Sequence, residues 1–483
     1  MNAGGSSTDR RSDPDPGRRR RPKAALFLMA CGLAGLLPHT LAPGVRLLPA
    51  SLLALVLGGH GLLTVLRGVR ALPVAPTAAP EVPPSAPEPA MATAAPQEAV
   101  PVDVVVAARD EQAVIARLVE RVGALHWPQD QLRLWVIDDG SEDRTPEVLA
   151  ELQGRVPQLR VLRRPRDAGG GKSGALNLVL QELSGRWLLV LDADADLQPD
   201  TLQRLVPFAE AGGWAAVQLR KAVVNASVNP LTQAQAMEMA FDALLQAGRL
   251  AGGGVGELRG NGQLLRRDAV LAVGGFNEYT LTDDLDLSLR LVLGGHPVGV
   301  LWDPPVGEEA VLTLPALWRQ RQRWAEGGLQ RFLDHGFGVG GGRLSRTQTL
   351  DLSAFFLLQY GMPMLAAADL LGVLLTGTPP LMWPFSIVAL ASSALALVAG
   401  CRRAQEGPAL PPMTPFHIGL AIVYLTHWFV VIPWVSVRMA LLPKRLVWAK
   451  TLHLGDDDDL FHANDDPLAA DGEAELAAGG GQA

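Results

Sequence analysis

The chain is poor in cysteine: only Cys31 and Cys401 occur in 483 residues. Two thiols, each in or beside an apolar stretch, supply neither a disulfide framework nor a zinc set, so the polar part belongs in a reducing cytosol. Positive charge is also in deficit. Against 49 Asp and Glu stand 42 Lys and Arg, a formal charge of −7. Nucleic acid is therefore not an expected partner, because neutralising phosphates needs a basic face. The basic residues that exist gather at Arg18–Arg21 with Lys23, before the first apolar run, and at Lys444 and Arg445, after the last. Such flanks mark cytoplasmic membrane ends. With 48% hydrophobic residues and a mean hydropathy of +0.18, the composition fits a soluble domain joined to a few membrane spans.

Six segments follow one another. Residues 1–23 read as a disordered polar tail. Residues 24–68 hold two apolar stretches, 24–42 and 47–66, joined by a Pro-Gly turn, and predict a transmembrane hairpin. Residues 69–100, rich in Pro and Ala, read as a linker. Within 101–340, the short runs Val102–Val106, Leu132–Ile137, Leu159–Leu162 and Trp187–Leu191 alternate with amphipathic helical stretches. That alternation predicts an α/β domain with a mostly parallel sheet, whose ligands lie beyond the carboxyl ends of the strands. Residues 341–445 carry three further apolar stretches, 352–376, 381–400 and 415–437. Three crossings would leave Lys444 and Arg445 outside, so one stretch is expected to lie in the interface or to re-enter. Residues 446–483 form an acidic tail. A multi-pass protein of the inner or plasma membrane, with its catalytic domain in the cytosol, is the resulting expectation.

Four motifs carry chemistry. Asp138-Asp139-Gly140-Ser141 follows a strand; it is either a polar strand-ending turn or a carboxylate pair for a nucleobase or ribose. Asp192-Ala193-Asp194 ends another strand. Period two sets both carboxylates on one side, where they would share Mg2+ or Mn2+ with a diphosphate. A calcium loop is excluded, since Leu197 and Gln203 replace its glycine and glutamate. Thr282-Asp283-Asp284 opens a helical pattern; it is either ordinary capping or a pair of acids, one raising the other's proton affinity to make a general base. In Gln320-Arg321-Gln322-Arg323-Trp324, helical spacing sets Gln320, Arg323 and Trp324 on one face. That face would meet a diphosphate and a sugar, or anchor an interfacial helix. Gly169-Gly170-Gly171-Lys172-Ser173 is not a P-loop, because Arg166 stands where the first glycine belongs; Lys172 is still placed to meet a phosphate.

In order and spacing these pieces resemble the processive members of family 2 of the glycosyltransferases, which include the cellulose, hyaluronan, chitin-oligosaccharide and poly-N-acetylglucosamine synthases. Lys172-Ser173-Gly174-Ala175-Leu176-Asn177, Gly260-Asn261-Gly262 and Gly274-Gly275-Phe276 extend the likeness across about residues 100–335. The resemblance implies an A-type glycosyltransferase fold, Rossmann-like, flanked by transmembrane helices. It implies roles as well: Asp138 and Asp139 on uridine, Lys172 near the donor, Asp194 with Asp192 on the metal, and Asp284 as base beside Asp283. Gln320, Arg323 and Trp324 would serve the donor diphosphate and the acceptor end. The implied reaction is metal-dependent, inverting transfer from a UDP-sugar to a growing β-linked polysaccharide. The alternative is transfer of one sugar to a membrane lipid, so the acceptor is a glycan or a lipid. A transporter or scaffold with an inactive domain would draw on Asp369, an acid inside an apolar stretch. Ala108-Arg109-Asp110-Glu111 departs from the Tyr-Asn-Glu of many relatives, and Asp283 stands where many have Glu.

Overall fold

A computed structural model of the protein describes residues 16–71 and 100–442. Most of the expected linker and polar tail, the acidic tail, Lys444 and Arg445 lie outside the described residues. The first helix begins at Pro16, inside the stretch read as a tail. Its basic end is anchored: Arg20 donates to Asp334 and to the Tyr279 carbonyl, and Lys23 to the Leu333 carbonyl.

The four apolar runs are strands: β1 (Val102–Ala108), β2 (Leu132–Asp138), β3 (Leu159–Arg163) and β4 (Trp187–Leu191). With β5 (Ala216–Val223), β6 (Gln263–Arg266) and β7 (Val298–Glu308) they form one sheet in the order β3-β2-β1-β4-β6-β5-β7. Only β6 runs antiparallel to its neighbours. Both faces are covered, which is why these strands read as continuous apolar runs rather than alternating ones. Val102, Val104 and Val106 point to a layer containing helices Ile115–Gly123, Thr145–Gln153 and Thr201–Ala211. Val105 points to the opposite layer, with helices Gly171–Leu180 and Asp283–Leu293. Strand order reverses between β1 and β4, and that switch opens a crevice beyond their carboxyl ends. Asp192 begins there, one residue past β4.

Among the described residues five helices are long and apolar enough to cross a membrane: Arg19–Thr40, Leu48–Ala71, Arg346–Thr376, Trp383–Arg403 and Pro415–Leu441. Large apolar side chains such as Leu33, Leu55 and Leu374 are exposed on them, as lipid contact requires. The protein is a multi-pass membrane protein with a cytosolic catalytic core. The last stretch is broken at Thr426–His427 into helices Pro415–Leu425 and Trp428–Leu441. Both of its ends meet the catalytic core. Before it, Glu406 pairs with Arg204, and the Glu406 carbonyl accepts from Arg220. At its end Arg438 binds Gln322 and Glu326, and the Leu441 carbonyl accepts from Arg21. Its middle meets the core as well, where Tyr424 and Trp428 donate to Glu238, so both ends are expected on the core side, a return that removes the conflict three crossings pose for the basic residues behind it. A reporter fused to the C-terminus is expected to be active in the cytosol and silent outside; the reverse pattern would rule out the return.

Candidate active site

The crevice holds a cavity of about 900 Å³. Three glycines build one lip. Gly169, Gly170 and Gly171 take positive φ values of 74°, 70° and 52°, and a Cβ on Gly170 would stand 2.6 Å from the Glu278 carboxylate. The turn opens helix Gly171–Leu180 and sends Lys172 across to Asp192, with Nζ 2.5 Å from Oδ1. Burial works against the Lys172 charge, but the Asp192 and Asp283 carboxylates outweigh it and hold the ammonium above its usual range. Burial likewise opposes ionisation of Asp192, and Lys172 overcomes it, so this acid stays below the usual carboxylate range.

The opposite lip comes from β6 and its approach. Gly260 and Gly262 take φ values of 91° and 71°. Between them, Asn261 accepts from the Asp192 backbone amide at 3.1 Å and donates to the Gly307 carbonyl at 3.2 Å. This fixes the end of β4 against β7. Asp194 is buried and accepts from the Glu309 amide at 2.8 Å. Glu308, paired with Lys221 at 2.6 Å, is pushed above the ordinary range by burial, with the Asp194 and Asp192 charges adding to it.

Asp283 and Asp284 open helix Asp283–Leu293 without a side-chain cap from Thr282. Burial and the adjacent Asp283 charge push the Asp284 carboxyl up to about 6. The third acid of that turn differs: Asp286 accepts from His335, Arg290 and Asn277, and so ties the helix to helix Leu314–Gly340. That long helix supplies Gln320, Arg323 and Trp324 to the cavity wall. Arg321 turns away, to Glu238 and Tyr424, while its guanidinium lies 4.0 Å from the Trp324 ring and braces it from behind.

The structure thus brings Lys172, Asp192, Asp194, Asp283, Asp284, Gln320, Arg323 and Trp324 to one cavity. Asp138 and Asp139 do not line it. Asp138 accepts from the Ser141 amide at 2.8 Å and faces Arg163 at 3.2 Å; Asp139 faces Arg164 at 3.4 Å. Sequence reasoning missed Lys221, Glu308, Arg259 and Asp242, which also line the cavity. Glu111, in the stretch that departs from the relatives' pattern, lines it too. Lys221 and Glu308 sit on β5 and β7, far apart in sequence, and only the parallel pairing of those strands joins them.

The cavity does not stop at the catalytic acids. It passes Arg249 and Asp351 and continues between membrane helices, past Leu57, Met362, Phe385 and Phe429. Asp369 is not on this path. It is held by His39 at 2.9 Å and by the Leu381 and Met382 amides, where it caps the turn before helix Trp383–Arg403.

Residues 99–327 match the family model described as glycosyltransferase like family 2. A beta-monoglucosyldiacylglycerol synthase of Synechocystis sp. is 42% identical over 446 residues, which cover 91% of this chain and 90% of that relative. The chain is a family 2 glycosyltransferase. Its counterpart of the same name from Nostoc sp. is 44% identical over 73% of this chain and 76% of its own. A mannosyltransferase from Pyrobaculum calidifontis, solved with GDP-mannose and Mn2+, superimposes with a TM-score of 0.55 at 19% identity, over 86% of this chain and 99% of its own. The glycosyltransferase therefore has the A-type fold. The resemblance to processive polysaccharide synthases is corrected by these relatives: those that match along most of the chain, membrane helices included, are named for making a glycolipid.

Proposed function

We infer that this glycosyltransferase moves one sugar from a UDP-sugar to a membrane lipid, with inversion. Diacylglycerol is the acceptor and glucose the sugar that the relatives' names support. The observation that carries this reading is the continuous cavity, in which the acids at the end of β4 and at the start of helix Asp283–Leu293 share one space with the membrane helices.

In this reading Asp284 takes the proton from the acceptor hydroxyl, whose oxygen attacks the anomeric carbon while UDP leaves from the opposite face. Asp283 keeps Asp284 basic enough for the task. Arg323 offsets the diphosphate charge, with Gln320 and Trp324 beside it. Asp138 and Asp139, already engaged by Arg163, Arg164 and the Ser141 amide, shape the nucleoside edge. Among the described residues no group of three or more His, Cys, Asp or Glu side chains is placed to enclose a metal ion. Asp192 and Asp194 instead fit an ion shared with a diphosphate, since Mg2+ commonly takes only one or two carboxylates beside phosphate oxygens. Mg2+ or Mn2+ held there would neutralise charge on the leaving group.

Purified protein given UDP-glucose, diacylglycerol and Mg2+ is expected to yield one glycolipid carrying a single hexose on thin-layer chromatography. Chelation should remove the activity, and Asp194→Asn should lower it by about 10²-fold or more if the ion supplies several kcal/mol. A ladder of longer products, or transfer that survives chelation, would contradict the reading.

A further inference from the structure

Inside the membrane half of the cavity two polar groups are buried without a hydrogen-bond partner: Oε1 of Gln359 and Oγ of Ser392. A buried polar group left unpaired is costly, and Ser392 is 91% buried (9% exposed) in the middle of an apolar helix. The charged groups nearby are different, because Arg249, Glu257 and Asp351 satisfy one another.

Both groups line the one cavity, and three features describe their surroundings. Gln359 lies eight residues beyond Asp351, which bonds Arg249; Ser392 lies eight residues before Gly400, which packs on the Ala240 carbonyl. Arg249 and Ala240 belong to one helix, Pro230–Ala251, so each group sits about 12 Å along its own helix from a separate point of the same core element. Leu358 and Ala389, their neighbours, pack on one apolar cluster. Finally, Gln359 is in a π-helical turn, Leu357–Gly361, and a second π turn, Ala54–Gly58, meets the same cavity. Such turns widen a helix and recur at functional sites.

This wall is also close to the reacting end. A Cβ on Gly328 would meet the Tyr360 hydroxyl and ring, and after them a methyl of Leu285, the residue after Asp284.

We propose that Gln359 and Ser392 form the acceptor subsite that holds the ester carbonyls of a diacyl glycerolipid, placing its free hydroxyl under Asp284. The proposal rests on the lipid-acceptor reading above and narrows it to ester-linked lipid. The Ser392 hydroxyl donates to one carbonyl. Gln359 donates to the other from its amide, which a half-turn about the last side-chain bond exchanges with its oxygen. A lipid with no carbonyl leaves both groups unpaired, so discrimination follows from the cost of that loss.

The test compares diacylglycerol with the dialkyl glycerol of the same chain length, which keeps the hydroxyl and the tails and lacks both carbonyls. The wild type is expected to favour the diacyl acceptor in kcat/KM by about 10-fold or more, for two hydrogen bonds at ordinary strength. Ser392→Ala and Gln359→Leu should each shrink that preference about 5-fold by slowing diacylglycerol alone. Effects on folding or on donor binding cancel in the ratio. Ser392→Ala removes a hydroxyl that has no partner in the protein, so it decides the matter even where Gln359→Leu does not accumulate. An unchanged diacyl-to-dialkyl ratio in Ser392→Ala overturns the proposal while leaving the lipid-acceptor reading intact. Donor turnover with transfer to neither lipid overturns both.

Discussion

Asp284→Asn is expected to cost about 10²- to 10⁴-fold in transfer rate, the usual worth of a general base, while UDP still binds. Isothermal titration with UDP and single-turnover transfer separate the two effects. The pH profile adds a sign. Burial and the Asp283 charge raise the Asp284 carboxyl to about 6, and the base acts only when ionised. Transfer should therefore climb through about pH 6 to a plateau, whereas an unshifted aspartate would hold activity down to about pH 4. Asp283→Asn removes one of the two causes, so its midpoint should move to lower pH. An Asp284→Asn protein at full rate, or a wild-type profile flat from pH 5 to pH 7, would remove Asp284 from its role.

Glu257→Ala is expected to destabilise the protein by about 3–5 kcal/mol, because it leaves buried guanidiniums without their carboxylate. Glu257 accepts from Arg249 at 2.9 Å, Arg331 at 2.7 Å and Arg259 at 3.2 Å. Through Arg249 the network reaches Asp351 on a membrane helix, and through Arg259 it reaches Asp242 at 2.9 Å. One carboxylate thus joins helix Pro230–Ala251, the approach to β6, helix Leu314–Gly340 and a membrane helix. Burial alone would raise the Glu257 carboxyl, but Arg331, Arg249 and Arg259 hold it well below the usual range. Its folded pKa is depressed, so its contribution is full above the unfolded value and is lost only as pH falls through the folded one. Thermal melting in detergent checks this: Glu257→Ala should melt well below the wild type at neutral pH. An unchanged midpoint would mean that the arginines find other partners.

Much of the catalytic half was legible because its signals are local. The valines of β1 and the apolar run of β4 mark strands, and the acids that follow β4 mark the crevice, since parallel sheets bind ligands there. Asp283 and Asp284 were legible as a pair, but not that burial would favour the second, because burial is set by helices distant in sequence. Asp138 and Asp139 show the limit of motif reading: the turn is where the sequence places it, yet Arg163 at the end of the next strand and Arg164 just past it claim the carboxylates. Lys221 with Glu308, and Glu257 with its three arginines, form only when distant segments meet. The acceptor was misread for a related reason. Catalytic motifs describe the donor and the base, which polymer and lipid enzymes share, while the acceptor path runs between membrane helices whose apolar sequence encodes little beyond their length.

The cavity that joins Asp284 to the membrane is the centre of the account, and photo-crosslinking tests it most directly. A diacylglycerol with a diazirine in one acyl chain is irradiated with the intact enzyme, and the labelled peptides are mapped. Labels are expected on the cavity wall at Leu57, Leu358, Met362, Phe385 and Ala389, and excess unmodified diacylglycerol should suppress them. Labels confined to outward-facing residues such as Leu374 and Leu395, and indifferent to competition, would contradict it.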